Sequence, residues 1–467
     1  MKALLREWLL VRRDRAAIAA YAVFAVACAV ALATSVASHR RDGELQADLA
    51  REEAARIASL RAEMTSRTGG AGEAWADPAS PGAVGRGRAG TYAMLPERPL
   101  GVLRGVDVAP RAVLVTTRAG ALDAGERDVV NARIESVGRF DLALLFVVLF
   151  PLTIVLLCFD VVARERETGT LRLLLVEGGR VGRLFVLRCV CRAGPVVLLA
   201  LVTLAASVAI TSGVDARALA VAATALVLYA VFWIAVTLAL SSWFATSTAN
   251  GLATIGTWIA FVVFAPTALA ATVDRYAPTP SRIERTSAVR EATRLASQQG
   301  SSLLARYYED HPELAPDGGP RKDDFFARQV AVAKQVAAAR APVEARYFQA
   351  LSRQRALVRT FSLASPVVLA DRVLADLSGA SRERTDSFRE QVDAFQAELA
   401  GFFDDKTLRG QRLSLTSLDE RPRFHFREPK DDATTSLLAL AAWTAAAMLL
   451  ATRRAPHASS LERTTTC

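Results

Sequence analysis

Cysteine, lysine and histidine are scarce in this chain. Its 467 residues include five cysteines, five lysines and four histidines. Five cysteines in a chain of this length are too few for a scaffold built on disulfides. No lysine follows a glycine, so the GxxxxGK[ST] loop that binds nucleotide phosphates is missing, and neither HExxH nor GxSxG occurs. We therefore expect no enzyme, with no catalytic residue, no metal site and no cofactor in this chain.

Long runs without a charged residue are frequent, although 22% of the chain is charged and 52% is hydrophobic. Each run is long enough to cross a hydrocarbon layer of ~30 Å at a rise of ~1.5 Å per residue. The apolar content excludes whole-chain disorder, and a soluble helical core would need all of these runs by chance. The sequence predicts an all-α polytopic membrane protein with six transmembrane helices, at residues 16–37, 142–162 (charge-free to Phe159), 193–210, 218–240, 251–273 and 435–452.

Two of these predicted spans contain a proline well inside them, Pro151 and Pro266. In the interior of a soluble helix a proline costs ~3 kcal/mol, because it removes a hydrogen bond and clashes with the preceding turn. In a membrane bundle, side chains of neighbouring helices can bind the carbonyl groups that a proline leaves without a partner. We expect such contacts at these positions.

The first span ends in Ser35-Val36-Ala37, which is similar to a signal-peptidase site. Its apolar region is longer than the ~7–15 residues of a signal peptide. The sequence therefore favours an uncleaved anchor, and a mature chain that starts near Ser38 is the alternative.

Basic residues are concentrated in three of the segments between and beside the spans. Residues 1–15, 164–192 and 453–467 carry net charges of +3, +4 and +2. The positive-inside rule places these segments in the cytoplasm, so we expect both termini there and residues 38–141 and 274–432 outside. The formal net charge of +10 is then a signal of membrane topology, and we expect no nucleic-acid partner.

The first extracytoplasmic insertion, residues 38–141, is predicted to be α+β or mixed. Leu45, Leu49, Ile57, Leu60 and Met64 recur near one helical face, which predicts that the first span continues outward as a helix. A linker rich in Gly, Ala, Pro and Ser follows at residues 68–90. Short strands are indicated by a group of valines, at Val102, Val106, Val108, Val113 and Val115.

The second insertion, residues 274–432, is predicted to be helical and large enough to bury its own core. Helices are indicated at residues 282–308, 325–362 and 382–403, with Pro342 as a break or kink in the second of them.

The segment between the second and third spans, residues 163–192, contains the most informative stretch. Asp160 to Glu167 predicts that the second span leaves the membrane as a charged helix. Gly169 permits a turn and Thr170 can cap a following short helix. That helix would present leucines beside a charged rim, as a surface for a cytosolic partner. A helix lying in the lipid interface is the alternative. The leucines are Leu171, Leu173, Leu174 and Leu175.

The stretch from Arg164 to Leu175, RERETGTLRLLL, resembles the ERExGTL…LL element of ABC-2 type transporter permeases, which follows the second span in that family. The resemblance implies that it forms a coupling helix seated on a separate ABC ATPase subunit, which holds ATP and magnesium. The residues to which the resemblance gives this role are Arg164, Glu165, Arg166, Glu167, Gly169, Thr170, Leu171 and Leu174.

Other stretches resemble the ABC-2 permeases linked to multi-copper-enzyme maturation and their relatives with a large domain of unknown function before the last span. The stretches are Asp77-Pro78, Leu95 to Leu100, Gly138 to Asp141, Tyr307 to Leu314, Ser365-Pro366 and Leu377 to Gly379. Copper handling is disfavoured, because the two insertions contain no cysteine and few histidines.

Residues 1–15 are predicted to form a cytoplasmic interfacial elbow helix, which the family also has. Leu5, Trp8 and Leu9 suit such a helix, with the tryptophan at the level of the lipid headgroups. A plain cytosolic start is the alternative.

Together with the six predicted spans, the resemblance implies a permease subunit of an ABC-2 type exporter in the bacterial cytoplasmic (inner) membrane. One six-span chain makes half a pore, so the expected partners are an ABC ATPase subunit, a second permease subunit and the lipid bilayer. Two alternatives remain open. One is a mechanotransmission subunit, which moves a periplasmic partner instead of a solute. The other is a sensor or scaffold without an ATPase.

Overall fold

A computed structural model describes residues 7, 11–66, 75, 77–104, 112–118, 140–176, 181–211, 215–244, 246–278, 282–316, 324–430 and 433–453. Within these residues, six helices are long and apolar enough to cross a membrane. This confirms the prediction of an all-α, membrane-type architecture.

The first helix, α1, runs without a break for 52 residues, from Arg15 to Ser66. Asp14 caps its start, because its carboxylate accepts hydrogen bonds from the backbone N–H groups of Ala16 (3.0 Å) and Ala17 (3.3 Å). At a rise of ~1.5 Å per residue the helix is ~78 Å long, more than twice the thickness of a bilayer core. The prediction that the first span continues as a helix is confirmed.

Irregular structure with a small sheet follows α1. A helical turn at Pro81–Ala83 continues as a π-helix at Val84–Arg88, and a 3-10 turn lies at Gly101–Leu103. Strands β1 (Thr91–Met94) and β2 (Ala112–Val115) pair antiparallel, with Thr91 opposite Val115 and Met94 opposite Ala112.

The valine pattern predicted only part of this sheet. Val113 and Val115 lie in β2, with both side chains buried. Val102 instead lies in the 3-10 turn, where it packs into what we call the main core, the hydrophobic core formed mostly by the membrane-type helices. Val106 and Val108 lie outside the described residues.

The next five helices are four spans and one short helix, which follows the first of them. They are α2 (Leu142–Glu167), α3 (Thr170–Val176), α4 (Val181–Ile210), α5 (Ala216–Ser241) and α6 (Ser247–Tyr276). Helix α4 begins well before the predicted span at residue 193. Its early turns contain Arg188 and Arg192, whose charges are paired with acidic residues, so the helix tolerates them.

Two spans contain a π-helix just before a proline. In α2 the π-helix is Leu145–Leu149, ahead of Pro151, and in α6 it is Ala260–Phe264, ahead of Pro266. The carbonyl group of Val147 lies one turn before Pro151 and loses its regular donor. The hydroxyl group of Tyr229 on α5 donates to it at 3.0 Å. The prediction that a neighbouring helix binds such a carbonyl is confirmed at Pro151.

The remaining helices follow α6. They are α7 (Arg282–Gln298), α8 (Gly300–Asp310), α9 (Phe325–Ser362), α10 (Pro366–Ser378), α11 (Arg382–Leu408), α12 (Leu415–Asp419) and α13 (Ala433–Arg453), with a 3-10 turn at Pro312–Leu314 between α8 and α9. Pro342 does not break α9, which stays helical through that position.

Beyond the spans, separate hydrophobic cores form what we call the head, defined as the described parts of residues 43–118 and 277–430 apart from α10. In one core, Ile57 and Leu60 of α1 pack with β1, β2 and α11. In another, α8 packs on α9 and on Leu408. We call the opposite end of the bundle, at residues 160–176 and 241–250, the loop end.

Helix α10 is an exception among the helices between α6 and α13, because it packs into the same core as the spans. Val367, Leu369 and Leu374 are buried between α5 and α13. Just before α10, the carbonyl group of Leu363 accepts a hydrogen bond from the indole of Trp443 at 2.8 Å. Since Trp443 lies halfway along α13, the turn into α10 lies level with the middle of that span. At 13 residues, α10 is too short to be recognised as a span from sequence.

Candidate functional site at the loop end

A tight turn separates α2 from α3. Gly169 has a φ of 76°, a conformation that residues with a Cβ atom rarely adopt. Its backbone N–H donates to the carbonyl group of Arg166 at 3.2 Å, and the N–H of Thr168 donates to that of Arg164 at 3.0 Å. The glycine predicted at this turn is therefore required by its backbone geometry.

Thr170 acts differently from the predicted cap. Helix α3 begins at Thr170, and the hydroxyl group of Thr170 donates to the carboxylate of Glu165 on the preceding helix. The hydroxyl groups of Thr168 and Thr170 lie 2.8 Å apart. The two threonines thus close the turn by contacting α2 instead of capping α3.

Glu165 connects this turn to α4 and to the start of the chain. Its Oε1 accepts from Nη1 of Arg188 at 2.6 Å, and Nε of Arg188 lies 3.2 Å from the carboxylate of Glu7. All three side chains are at most 22% exposed, so water screens these ion pairs only partly. Asp160 and Arg192 form a second ion pair between α2 and α4, at 2.6 Å.

Arg166 and Glu167 contact the link between α5 and α6. Nη1 of Arg166 donates to the carbonyl group of Phe244 at 2.7 Å. Glu167 accepts two hydrogen bonds from Ser247, one from the backbone N–H at 2.7 Å and one from the hydroxyl group at 2.6 Å. Because Ser247 is the first residue of α6, the carboxylate binds an N–H that has no partner inside the helix and lies at the positive end of the helix dipole.

One turn further along, α2 and α6 are in close contact. The side-chain amide of Asn250, which is fully buried, donates to the carbonyl group of Phe159 and to the hydroxyl group of Ser241, the latter at 3.1 Å. A Cβ atom on Gly251 would lie 3.1 Å from the ring of Phe159, so a larger residue would push the helices apart. Side chains at the loop end therefore hold the ends of α2, α4, α5 and α6 together.

The exposed surface of this loop is smaller than the leucine pattern indicated. Leu171 is only 8% exposed and Leu174 packs against the main core, so both contact this chain's own bundle. Leu173 is 67% exposed. Together with the exposed Thr168, Gly169 and Thr170, it forms what we call the tip.

The structure brings most of the predicted coupling residues into one place, and it adds partners that the sequence did not identify. In the sequence, Arg188 contributes only to the positive charge of residues 164–192, and no pattern marks Glu7 or Ser247. Their distance along the chain from Glu165 and Glu167 hides the contacts, and only the excess of arginine in residues 164–192 signalled a need for acidic partners. The predicted elbow residues Leu5, Trp8 and Leu9 lie outside the described residues.

A second polar cluster lies in the head around Arg384, which is 2% exposed. Its guanidinium donates to the carbonyl group of Pro96 (2.7 Å), to that of Gly379 (3.3 Å) and to the carboxylate of Glu428 (2.6 Å). Burial tends to raise the pKa of Glu428, but hydrogen bonds from Arg384 and the charges of Arg384 and Arg98 hold this pKa below its ordinary value. Arg384 thereby joins the segment after β1 to the segment that precedes α13.

Comparison with known proteins gives one match. Residues 282–427 are similar to a family described as a domain of unknown function, DUF3526. No curated protein and no solved structure matches the chain. The matched region runs from α7 through the segment after α12 and includes α10.

Proposed function

We propose that this chain is the membrane-spanning permease subunit of an ABC-2 type exporter, which couples ATP hydrolysis by a separate ATPase subunit to transport across the membrane. The observation that carries the proposal is the structure of the loop end, where a short exposed tip belongs to a loop that ion pairs and hydrogen bonds fix to the spans. Thr168, Gly169, Thr170 and Leu173 are exposed, whereas Glu165 and Glu167 anchor the same loop to α4 and α6. Such a surface can dock a partner and pass the partner's movement to the spans.

The charge of the flanking segments supports a cytoplasmic position for this tip, since residues 164–192 carry a net charge of +4. With both termini on that side, the head lies in the periplasm, on the outer side of a bacterial inner membrane. A second permease subunit, either another copy or a homologue, completes the pore.

The test is capture of the ATPase. A tagged chain is purified from native membranes, and the eluate is assayed for a P-loop ATPase by mass spectrometry and by ATP hydrolysis. Leu173→Glu places a charge on the exposed tip without altering a described contact, and we expect it to lower ATPase recovery by about tenfold. Leu45→Glu is the matched control, since Leu45 is 40% exposed on the head part of α1. Equal ATPase recovery with Leu173→Glu and with the control would refute docking at the tip.

A second candidate function is mechanotransmission, in which ATP-driven motion reaches a periplasmic partner and no solute crosses. The unbroken helix α1 favours it, because this helix contributes Phe24 and Ala31 to the main core and Ile57 and Leu60 to a core of the head. ATP-driven solute flux in proteoliposomes separates the two functions. A sensor or scaffold without an ATPase predicts that no ATPase is recovered and that changes at the tip are tolerated.

A further inference from the structure

A short sequence pattern occurs twice in the spans, in α2 and in α6. Residues 146–151 read FVVLFP and residues 261–266 read FVVFAP. In both helices the π-helix begins six residues before the proline, at Leu145 and at Ala260. The repeated pattern therefore coincides with a repeated backbone irregularity.

The chemistry of this irregularity favours bending. A proline has no N–H to donate, and a π-helix has already displaced the regular ladder of hydrogen bonds by one residue. Each span is therefore less rigid at this point than along its regular turns. In α6 the π-helix carries Phe261, whose ring meets those of Phe232, Trp233 and Trp443 edge-on at 6.1–6.3 Å. The helix thus rests on one aromatic cluster at the point where it can bend.

The two halves of α6 are held by different neighbours. At the loop end, Ser247 and Asn250 bind Glu167 and the carbonyl group of Phe159 on α2. At the head end, residues 265–276 pack against α9, and Asp274 accepts a hydrogen bond from Gln354 at 3.3 Å.

Between these attachments α6 contacts the bundle through the aromatic cluster at Phe261 and through Trp258 and Val262, which pack on the main core without being buried. Only 6% of the residues in the most apolar stretch of α6 are buried, the lowest share among the six spans of the described residues. A span with so few buried residues can move relative to the others at small cost.

We propose that α6 is the span that carries movement of the coupling loop to the head, with Glu167 as the positioning residue that clamps its loop-end half to α2 and with the π-helix Ala260–Phe264 as its pivot. The matching π-helix in α2 lets the end of α2 follow the same movement. This proposal rests on the proposed function for its driving force, which is the ATPase docked at the tip.

Distances between spin labels test the pivot directly, in a chain whose five native cysteines are replaced. One label pair, at Leu252 and Ala271, lies across the π-helix of α6, and a second pair, at Leu156 and Leu252, lies across the clamp. All three side chains are exposed. In nanodiscs without any partner, we expect a broad distance distribution across the π-helix and a narrow one across the clamp.

Substitutions then assign the two roles. Glu167→Ala or Ser247→Ala is expected to broaden the distribution across the clamp, with Thr248→Ala, an exposed neighbour, as the control. Pro266→Ala is expected to narrow the distribution across the π-helix, with Pro342→Ala in α9 as the control. Thermal unfolding of each variant shows that it has folded.

In the complex with the ATPase, trapping with ATP and vanadate is expected to shift the distance across the π-helix by about 5 Å, which a ~15° rotation gives at the end of a ~20 Å lever. A single narrow distribution across the π-helix, unchanged by nucleotide, would overturn the proposal. If no ATPase is recovered, the proposed function fails, and the distributions of the isolated chain still decide whether α6 pivots.

Discussion

Asp404 is a carboxylate that the head holds largely away from water. It lies on α11 in a half-buried position. Burial raises the pKa of Asp404 to about 6, and Asp405 adds to this, whereas the charges of Lys334 and Arg86 lower it. The charged form is therefore less favourable in the folded protein than in the unfolded chain.

This raised pKa gives the head a defined pH dependence. Below about pH 4, Asp404 is protonated in both states and has no effect on stability. As the pH rises from about 4 to about 6, the unfolded chain releases the proton first, so the free energy of unfolding falls. Relative to Asp404→Asn, we expect the native protein to lose about 2 kcal/mol over this range, measured by thermal unfolding in detergent at several pH values. Parallel curves for the two proteins would contradict this.

At the scale of single residues, the sequence predicted chemistry better than it predicted partners. Pro151 implied a carbonyl group in need of a donor, and Tyr229 supplies it. Glu167 was placed in the coupling loop by its motif, but its contact with Ser247 could not be predicted. That contact depends on how α2 and α6 pack, and hydropathy does not encode which helices become neighbours.

The C-terminal end of α10 requires a glycine, Gly379. It ends α10 with a φ of 76°, while the N–H of Ala380 donates to the carbonyl group of Ala375 at 2.8 Å. A Cβ atom at Gly379 would also lie 2.9 Å from Nη1 of Arg384. Both the backbone and the neighbouring cluster therefore require glycine here.

We expect Gly379→Ala to lower the free energy of unfolding by about 1–2 kcal/mol, because alanine is strained in this conformation. Gly43→Ala is the matched control. Gly43 lies inside α1 with open space around it, so alanine there is expected to raise stability by about 0.5–1 kcal/mol. Thermal unfolding in detergent measures both variants, and an equal effect of the two substitutions would show that neither the φ angle nor Arg384 matters.

At the scale of elements, apolar runs predicted the six spans but not their full extents. Helix α4 extends beyond its apolar run through Arg188 and Arg192, which are paired across the bundle, whereas the extension of α2 to Glu167 was predicted by its charged residues and not by hydropathy. The sequence places α10 in an insertion, because Asp371, Arg372 and Asp376 lower the mean hydropathy of a helix whose other side is apolar. The π-helices were not predicted, because a proline alone does not tell how the preceding turn adjusts.

The whole molecule is organised around a main core that includes α10 as well as the spans. The region that matches the domain of unknown function, residues 282–427, therefore does not bury all of its apolar side chains by itself, because those of α10 pack against the spans. Cut from the chain, it would expose the side chains of Val367, Leu369, Val373 and Leu374, which are at most 3% exposed in the intact protein. An apolar surface of this kind promotes association in water.

We accordingly expect the isolated fragment 282–427 to aggregate in water and to become monodisperse in detergent, as measured by size-exclusion chromatography with light scattering. The same fragment with serine or glutamine at those four positions is the control, and it should need no detergent. A native fragment that is monomeric in water would show that α10 can be buried within the fragment.

At this largest scale, the sequence predicted the class of the protein from hydropathy and the sidedness from charge, and the second of these stays a prediction. The predicted division into spans and insertions did not show how the cores are built. It follows the order of the chain, whereas α1 and α10 each contact both the bundle and the head.

Helix α1 fixes the number of residues between its part in the main core and its part in the head. Phe24 and Ala31 occupy the main core and Ile57 and Leu60 a core of the head, with an unbroken helix between them. Each residue inserted there would turn the distant pair by ~100° and raise it by ~1.5 Å. Insertions of ~7 or ~11 residues nearly restore the rotation but raise the pair by ~10 Å or more, and most other lengths also turn one apolar face out of its core. Among homologues of this chain, the stretch from Ala31 to Ile57 should therefore be nearly constant in length even where its residues differ.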